Sequence, residues 1–471
     1  MITLERREGF HLKLSRVLRE SSSHKLDLYL FVPAELDLSA AVVSEQAFYH
    51  NAIHLSRTYY SDRHQLPLVH SRLARRNELG SEQYRLSLSL YAYQYVVALE
   101  GAVRDLKGRL KALRGDKRRE STAEAMEELE ARFEEVVALA VDILKRLRRN
   151  VPERESLLKY YTNIDNYLSW FTEQRLLELL CQLPREADYA VMRRRLVAVC
   201  EAEAAHREAE EYNSPRVVED PTRMSNKMRL LRRLIEYPLT LRQRTQELGG
   251  GEQKAVKALA TAVVMIFVSL GLLQARESLG DITALFVLVL AVIYALREVF
   301  KDDLRNTLWR LLRKGRPKWR RQYQDPTSQA LVGRQLEWCD YQRYVKLDDE
   351  IKWARKRNVA QREEVVLHYR SSSRISPTRF LSGYEQVRET LTLDLSLVAR
   401  LMDKASHLVY RLEGEEVSRE RVERRHLINL VTRERSGDGE AVIQRWKIVM
   451  NRSRVVDIEE VTVVPRQERG Q

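Results

Sequence analysis

The residues in this chain with the clearest potential for chemistry are two histidines near its amino terminus. His50 and His54 lie four positions apart, and on an α-helix that spacing directs both imidazole rings to one side, as in two-histidine metal sites. The sequence has no HExxH motif and no third ligand at a fixed spacing. A metal bound by His50 and His54 is one hypothesis. A pair of histidines that bond to neighbouring groups or to water is the simpler alternative.

Sequence motifs for catalysis are missing. No GxSxG elbow, GxGxxG unit or SxxK motif stands in a usable context. Lys254 follows the glycine run 249–251, but the GxxxxGK[ST] pattern of a phosphate-binding loop is not present. Adjacent acidic residues such as Asp302 and Asp303 do not face each other on a helix. The sequence therefore predicts no catalytic residue and no cofactor, and it does not favour an enzyme.

The strongest binding signal is a basic stretch with interleaved aromatic residues between positions 310 and 323. Such a stretch suits an anionic bilayer surface, where each Lys or Arg contributes about 1 kcal/mol. Nucleic acid offers the same phosphate chemistry, but two apolar segments lie shortly before the stretch, so lipid headgroups are favoured and nucleic acid is not. The predicted lipid-contact residues are Arg310, Arg313, Lys314, Arg316, Lys318, Trp319, Arg320 and Arg321.

Two uncharged apolar segments, 258–274 and 282–296, determine where this basic stretch lies. A hydrocarbon layer accepts helices of about 20 residues and penalises charge, and basic flanking residues can snorkel to the interface and so lengthen each helix. The segments predict a two-helix transmembrane hairpin over 254–300, with helices at 254–274 and 281–300. A buried helical pair in a large soluble core is the alternative.

The charges around this hairpin predict its orientation. The connecting loop contains one cation and two anions, Glu277 and Asp281, whereas both outer flanks are basic. Both termini are therefore expected on the cytoplasmic side of a bacterial inner (plasma) membrane, in a multi-pass protein. In an assembly of several copies, Glu277 and Asp281 could form an acidic pore mouth. Asp281 as the cap of the second helix is the simpler interpretation.

The rest of the 471-residue chain must fold in water. Alternating leucines predict an amino-terminal β-hairpin over 1–36, and helical periodicity predicts a cytoplasmic bundle over 37–248. Tyrosines that recur on one helical face, such as Tyr84 and Tyr95, are expected to be core residues rather than a ligand groove. Residues 249–253 are predicted to be a flexible glycine linker.

The remaining third of the chain changes character. Basic juxtamembrane and cytoplasmic helices are predicted over 301–359, with the second beginning near residue 327. A carboxyl-terminal α+β domain over 360–471 is predicted to contain a helix at 391–404 and a meander of antiparallel strands from residue 426. The amino-terminal hairpin is too short to be stable alone, so it should dock on this domain or on the bundle. The predicted fold class is an α+β membrane protein: a mainly helical bundle, a two-helix transmembrane hairpin and this domain.

These features favour a membrane-anchored cytoplasmic interaction or signalling scaffold, because the soluble mass is large and catalytic motifs are missing. The predicted partners are a bilayer with anionic headgroups and either a second copy of the chain or another protein. A homo-oligomeric ion channel or transporter built from the hairpin is the first alternative, although neither apolar segment has an ionisable residue to mark an ion path. A metal-dependent, membrane-tethered enzyme centred on His50 and His54 is the second.

Overall fold

The computed structural model describes residues 2–463 except 8, 20–21, 61–80, 116–121, 280–283, 314, 327, 357–363, 377–385, 404–405, 415 and 438. Within these ranges the chain is an α+β protein. Its strands are β1 (Thr3–Arg6), β2 (His11–Arg19), β3 (Ser23–Pro33), β4 (Ile53–Tyr60), β5 (Arg242–Glu247), β6 (Trp319–Gln324), β7 (Leu331–Arg343), β8 (Glu364–Ile375), β9 (Gln386–Asp394), β10 (Ser406–Glu413), β11 (Glu416–Glu423), β12 (His426–Ser436), β13 (Val442–Met450) and β14 (Val455–Val461). Its α-helices are α1 (Glu45–Ala52), α2 (Ser81–Gly115), α3 (Thr122–Arg148), α4 (Glu155–Gln182), α5 (Ala190–Ala209), α6 (Pro215–Val218), α7 (Pro221–Glu236), α8 (Gly250–Leu279), α9 (Ala284–Arg313), α10 (Asp349–Arg355) and α11 (Ser396–Arg400).

The named strands pair antiparallel in two large sheets and one ribbon. The larger sheet has the order β14-β13-β12-β3-β8-β7-β6-β5, the smaller has the order β1-β2-β9-β4, and β10 pairs with β11. The meander predicted from residue 426 is confirmed as β12, β13 and β14, because period-two apolar residues there flank short polar turns.

The two large sheets pack face to face around a shared apolar core. Leu12 and Leu391 of the smaller sheet and Leu28 and Leu430 of the larger sheet are at most 2% exposed. β2 pairs with β1 and β9, whereas β3 pairs with β8 and β12. The two leucine-rich strands predicted to form the amino-terminal β-hairpin therefore belong to different sheets, and that pairing is wrong; β2 instead forms an antiparallel hairpin with β1. β3 nevertheless docks among the carboxyl-terminal strands, as expected.

The long helices α2, α3, α4, α5 and α7 form a bundle against one end of the sheets. Tyr84, Leu88, Tyr91 and Tyr95 are at most 1% exposed in its core, which confirms their assignment as core residues. The core continues through Tyr59 of β4 and Tyr323 of β6. The strands β4 and β5 lie within 37–248, so that segment is not helical throughout as predicted.

Two segments predicted as helices are partly or largely strand. The helix predicted from residue 327 is β7 followed by the short α10, and the one predicted over 391–404 is the end of β9 followed by α11. The inward-facing residues of β7 include Gln335 and Glu337, both 0% exposed. Polar residues at inward positions hide the apolar alternation from which a strand is predicted.

The helices α8 and α9 pack as an antiparallel pair. The space beside Gly249, just before α8, is filled by Trp309 near the end of α9, and Gly271 meets Ile293 farther along. In the described part of the chain, one helix is long and apolar enough to cross a membrane: α8 over Gly250–Gln274, with a mean hydropathy of 2.3. In α9, charges begin at Arg297 and Glu298. The predicted two-helix transmembrane hairpin is therefore wrong, and a multi-pass location has no support.

Candidate functional site

The most prominent candidate site is an exposed apolar surface on the helical pair. A stripe of α8 that recurs every four residues is at most 8% exposed: Val256, Ala260, Val264 and Val268. Other apolar side chains point outward, and Ile266 and Phe267 are 60% and 70% exposed. The exposed members on both helices, here called the apolar surface, are Leu259, Met265, Ile266, Phe267, Leu270, Leu273, Val287, Leu288, Val292, Tyr294, Leu296, Val299 and Phe300.

A groove between the two helices adds to this apolar surface. It has a volume of about 470 Å³ and is lined by Val263, Phe267, Gly271, Ile293 and Phe300 among others. Soluble monomers rarely expose a contiguous apolar patch larger than a few hundred Å², because each Å² of apolar area left in water costs about 25 cal/mol. The apolar surface and its groove are therefore the candidate contact site of this chain.

The base of the helical pair is fixed to the larger sheet. The strand β5 leads into α8 and β6 follows α9, and these two strands pair through Glu247 and Trp319. Gly249 has a φ of +95°, and Trp309 lies 3.0 Å from the position that a Cβ at Gly249 would occupy. Gly250 and Gly251 are the first turn of α8, so most of the predicted flexible linker is helix. The bundle and both sheets consequently lie beyond one end of the pair.

The structure separates the predicted lipid-contact residues into two groups. Arg316 is exposed and pairs with Glu252 at 3.1 Å, and Arg313 is half-buried at 3.4 Å from Glu247. Arg320 is partly exposed. The side chains of Arg310 and Lys314 lie outside the described residues. The remaining three are buried in the sheet and cannot contact lipid: Lys318, Trp319 and Arg321.

Trp319 and Arg321 are buried because they occupy inward positions of β6, whereas Lys318, just before β6, is buried by its pairs with Glu45 and Asp340. The Lys318 ammonium group donates to Glu45, to the carbonyl oxygen of Cys339 at 2.7 Å and to Asp340 at 2.6 Å. The Trp319 ring stacks on Tyr49 with centroids 3.7 Å apart. The basic residues of this stretch are therefore partly structural, which their sequence spacing did not reveal.

A network of buried charges crosses the sandwich interior. Arg57 on β4 is 1% exposed, and its Nε and Nη2 donate to Glu389 Oε2 on β9 at 2.9 and 2.5 Å. Its Nη2 also donates to Gln335 at 2.6 Å and Ser373 at 2.5 Å in the larger sheet. The guanidinium carbon lies 3.9 Å from the centroid of Tyr323. Arg57 therefore links the two sheets.

A second charge pair continues this network toward the helical pair. Arg321 Nε and Nη2 donate to the Glu337 carboxylate at 3.2 and 3.3 Å, and Nη2 donates to the Tyr49 hydroxyl at 2.8 Å. Tyr369 donates to Glu337 at 3.2 Å. Burial, reinforced by the nearby Glu337 charge, raises the pKa of Tyr49 well above its usual value. These buried groups satisfy one another, so the network holds Tyr49 of α1 against β6, β7 and β8.

The histidine pair does not have the geometry on which the metal hypothesis rests. The helix α1 ends at Ala52, so His50 is helical while His54 belongs to β4. The His54 Nε2 lies 3.0 Å from the carbonyl oxygen of Asn51, and the His50 ring lies edge-on to Trp319. Among the described residues, no three His, Cys, Asp or Glu side chains are placed to hold a metal ion. His54 therefore fits the simpler alternative, in which the histidines bond to neighbouring groups.

The predicted pore mouth is only partly described. Glu277 is exposed in the last turns of α8, and Asp281 lies outside the described residues. The channel hypothesis depended on two spanning helices, and α8 alone meets that requirement in the described chain. The channel hypothesis therefore loses the pair of spanning helices on which it depended, and the pore mouth stays a prediction.

The interior network was missed although its sequence carries a signal. Arg16 is in phase with Leu12, Leu14 and Leu18, and Glu389 is in phase with Leu391. An ionisable residue on the apolar face of a strand indicates a buried pair.

Comparison with protein-family models, curated proteins and solved structures gives no match to this chain. Its function is therefore argued from its own residues.

Proposed function

We propose that this protein is a membrane-attached interaction scaffold: the exposed apolar side chains of α8 are buried in a bilayer, and the sheets and bundle are held beside it. The proposal depends on the exposure of α8. Only 22% of its most apolar stretch is buried by the rest of the protein. A helix of this hydropathy in a soluble core would be mostly covered. Lipid chains are the partner that such a surface requires.

The charges at the base of the pair support a bilayer over a protein partner. Lys254 and Lys257 are exposed in the first turns of α8, and Arg316 is exposed after α9. Cations at this position lie at headgroup depth when the apolar surface is in the hydrocarbon. The bacterial inner membrane stays the predicted location.

The scaffold role is supported by the shape of the base. Since β5 and β6 are paired, both helices leave the same edge of the larger sheet. The sheets and bundle are therefore joined to the helical pair at a single place. The interior ion pairs of Arg57 and Arg321 hold the sheets together, and the outer surfaces of the sheets and bundle are left for binding.

A matched pair of double variants tests the proposal. Ile266→Asp with Phe267→Asp places two charges on the apolar surface, whereas Val191→Asp with Leu230→Asp places two on equally exposed apolar positions of the bundle, 66% and 62% exposed. Each Asp at the centre of an inserted helix costs about 3 kcal/mol. In flotation with vesicles of mixed neutral and anionic lipid, we expect the first variant to stay in the soluble fraction and the second to float like the wild type. Equal flotation of the two variants would show that a bilayer does not cover the apolar surface.

A further inference from the structure

The outer face of the larger sheet, which points away from the sandwich core, contains a pocket of about 360 Å³. Four adjacent strands place residues around it in register: Arg433 on β12, Asp27 on β3, Arg370 on β8 and Trp338 on β7. Lys25 and Arg435 form the next pair on the same face. Directly paired residues have Cβ atoms about 5 Å apart, so the sheet itself builds this outer-face pocket.

The charges of the outer-face pocket are strongly unbalanced. Asp27 is 8% exposed and accepts from Arg370 Nε at 2.8 Å and from Arg433 Nε at 3.3 Å. Arg433 also donates to Asp348 at 2.7 Å. Glu350 lies 3.9 Å from Arg433 as well, so three carboxylates face Arg370 and Arg433, but Asp27 alone of the three is among the residues that line the pocket. The side chains of Lys25 and Arg435 make no hydrogen bond or ion pair within the described chain, and both residues are exposed.

Asp27 orients the two arginines but does not neutralise the whole positive charge of the pocket. Burial opposes its ionisation, but hydrogen bonds from His368 and Arg370 hold the pKa of Asp27 well below its usual value. Arg370 donates to Asp27 through Nε. Its two terminal nitrogens make no hydrogen bond within the described residues. A guanidinium group held in this way presents a preformed pair of donors to an oxyanion.

Trp338 adds an apolar wall beside these cations. Its side chain is partly buried, and its Nε1 donates to the carbonyl oxygen of Gly315 at 3.2 Å, just after α9. This bond fixes the indole at the pocket and connects the pocket to the base of the helical pair. A flat apolar surface beside unpaired cations suits a ligand that is part anion and part organic group.

We propose that the outer-face pocket binds a phosphate ester, with the phosphate on Lys25, Arg370 and Arg435 and the organic group against Trp338. The pocket exceeds the size of a bare phosphate and falls in the range of small-molecule sites, about 300–1,000 Å³. A lipid headgroup and a soluble phosphate ester share this chemistry. The site goes beyond membrane attachment, and its binding does not require that the apolar surface enter a bilayer.

Calorimetric titration of the full chain in detergent tests the site without a bilayer. The probes are inorganic phosphate and glycerol 3-phosphate at constant ionic strength. The test variant is Lys25→Gln with Arg435→Gln, whose side chains make no contact that folding needs. The control is Arg343→Gln, an exposed arginine on β7 outside the pocket. Circular dichroism of each variant verifies the fold.

We expect wild-type protein to bind glycerol 3-phosphate more tightly than inorganic phosphate. The double variant should lose roughly tenfold or more in affinity, as for the loss of charge-assisted hydrogen bonds, and the control should match the wild type. Tighter binding of short-chain phosphatidic acid than of glycerol 3-phosphate identifies the lipid as the source, and the reverse order identifies a soluble ester. No binding by the wild type, or equal binding by the double variant, would overturn the site. Because no bilayer is present, failure of vesicle flotation leaves this result unaffected.

Discussion

Arg57 and Glu389 stand directly opposite each other on neighbouring strands of the smaller sheet and form an ion pair with both side chains 1% exposed. Arg16, opposite Glu389 on its other side, donates from Nε to Oε1 at 2.7 Å. One carboxylate therefore lies between two guanidinium groups in register. Since Arg57 also reaches Gln335 and Ser373, this row fixes how the two sheets lie on each other.

Replacement of Arg57 by Met should destabilise the protein strongly. The change removes one of the two cations that pair with Glu389 and leaves Gln335 and Ser373 without this donor; breaking a buried pair in this way typically costs about 3–5 kcal/mol. The free energy of unfolding, measured by urea titration in detergent, should fall by about that amount. The exposed pair Arg132–Glu135 provides the control, since Arg132→Met should change stability by less than about 1 kcal/mol. Similar losses in the two variants would contradict a special role for the buried row.

Acid stability should depend on Glu389. Burial alone would raise its pKa, but the charges of Arg16 and Arg57 and their hydrogen bonds lower it from 4.5 to about 2. Because the folded pKa lies below the unfolded one, the stability that Glu389 contributes is complete above pH 4.5 and is lost as the pH falls toward 2. This loss is on the order of 3 kcal/mol.

The comparison of wild type with Glu389→Gln isolates this contribution from other carboxylates. The wild type should be the more stable above pH 4.5, and the difference between the two unfolding free energies should shrink steadily on acidification. Parallel pH profiles would show that Glu389 titrates normally in the folded protein.

The sequence predicts the parts of this fold whose burial follows apolar periodicity. Helices α2 and α4 and strands β12 to β14 have that pattern, and their cores are as expected. Prediction from apolar periodicity fails for β4, β6 and β7. Their inward positions include Arg57, Arg321 and Glu337, and the burial of these charges depends on partners that are distant in sequence. For the same reason the lipid-contact prediction included Lys318 and Arg321. The outer-face pocket was also hidden, since its residues come from four strands that only sheet register brings together.

Lys318 and Arg316 are two residues apart and should behave oppositely. Lys318→Met leaves Glu45 and Asp340 without their shared cation, and because these two carboxylates are 35% and 40% exposed, we expect a loss of roughly 1–3 kcal/mol in unfolding free energy. Its effect on vesicle affinity should be small. Arg316→Gln should leave stability unchanged but weaken binding to anionic vesicles by about 1 kcal/mol, an effect that salt removes. Vesicle binding that falls equally in both would place Lys318 on the lipid surface after all.

Gly249 should control how firmly the helical pair is held to the larger sheet. Its φ of +95° is a conformation that other residues adopt only with strain, and a Cβ there would lie 3.0 Å from the Trp309 ring. Gly249→Ala should therefore lower the unfolding free energy by about 1–2 kcal/mol and increase proteolysis at the base of the pair. Gly251→Ala is the matched control, because Gly251 is helical with nothing within 4 Å of its Cβ position. It should be neutral or stabilise by up to about 1 kcal/mol, as Ala replaces Gly in a helix. If both substitutions have the same effect, the contact between Gly249 and Trp309 does not anchor the pair.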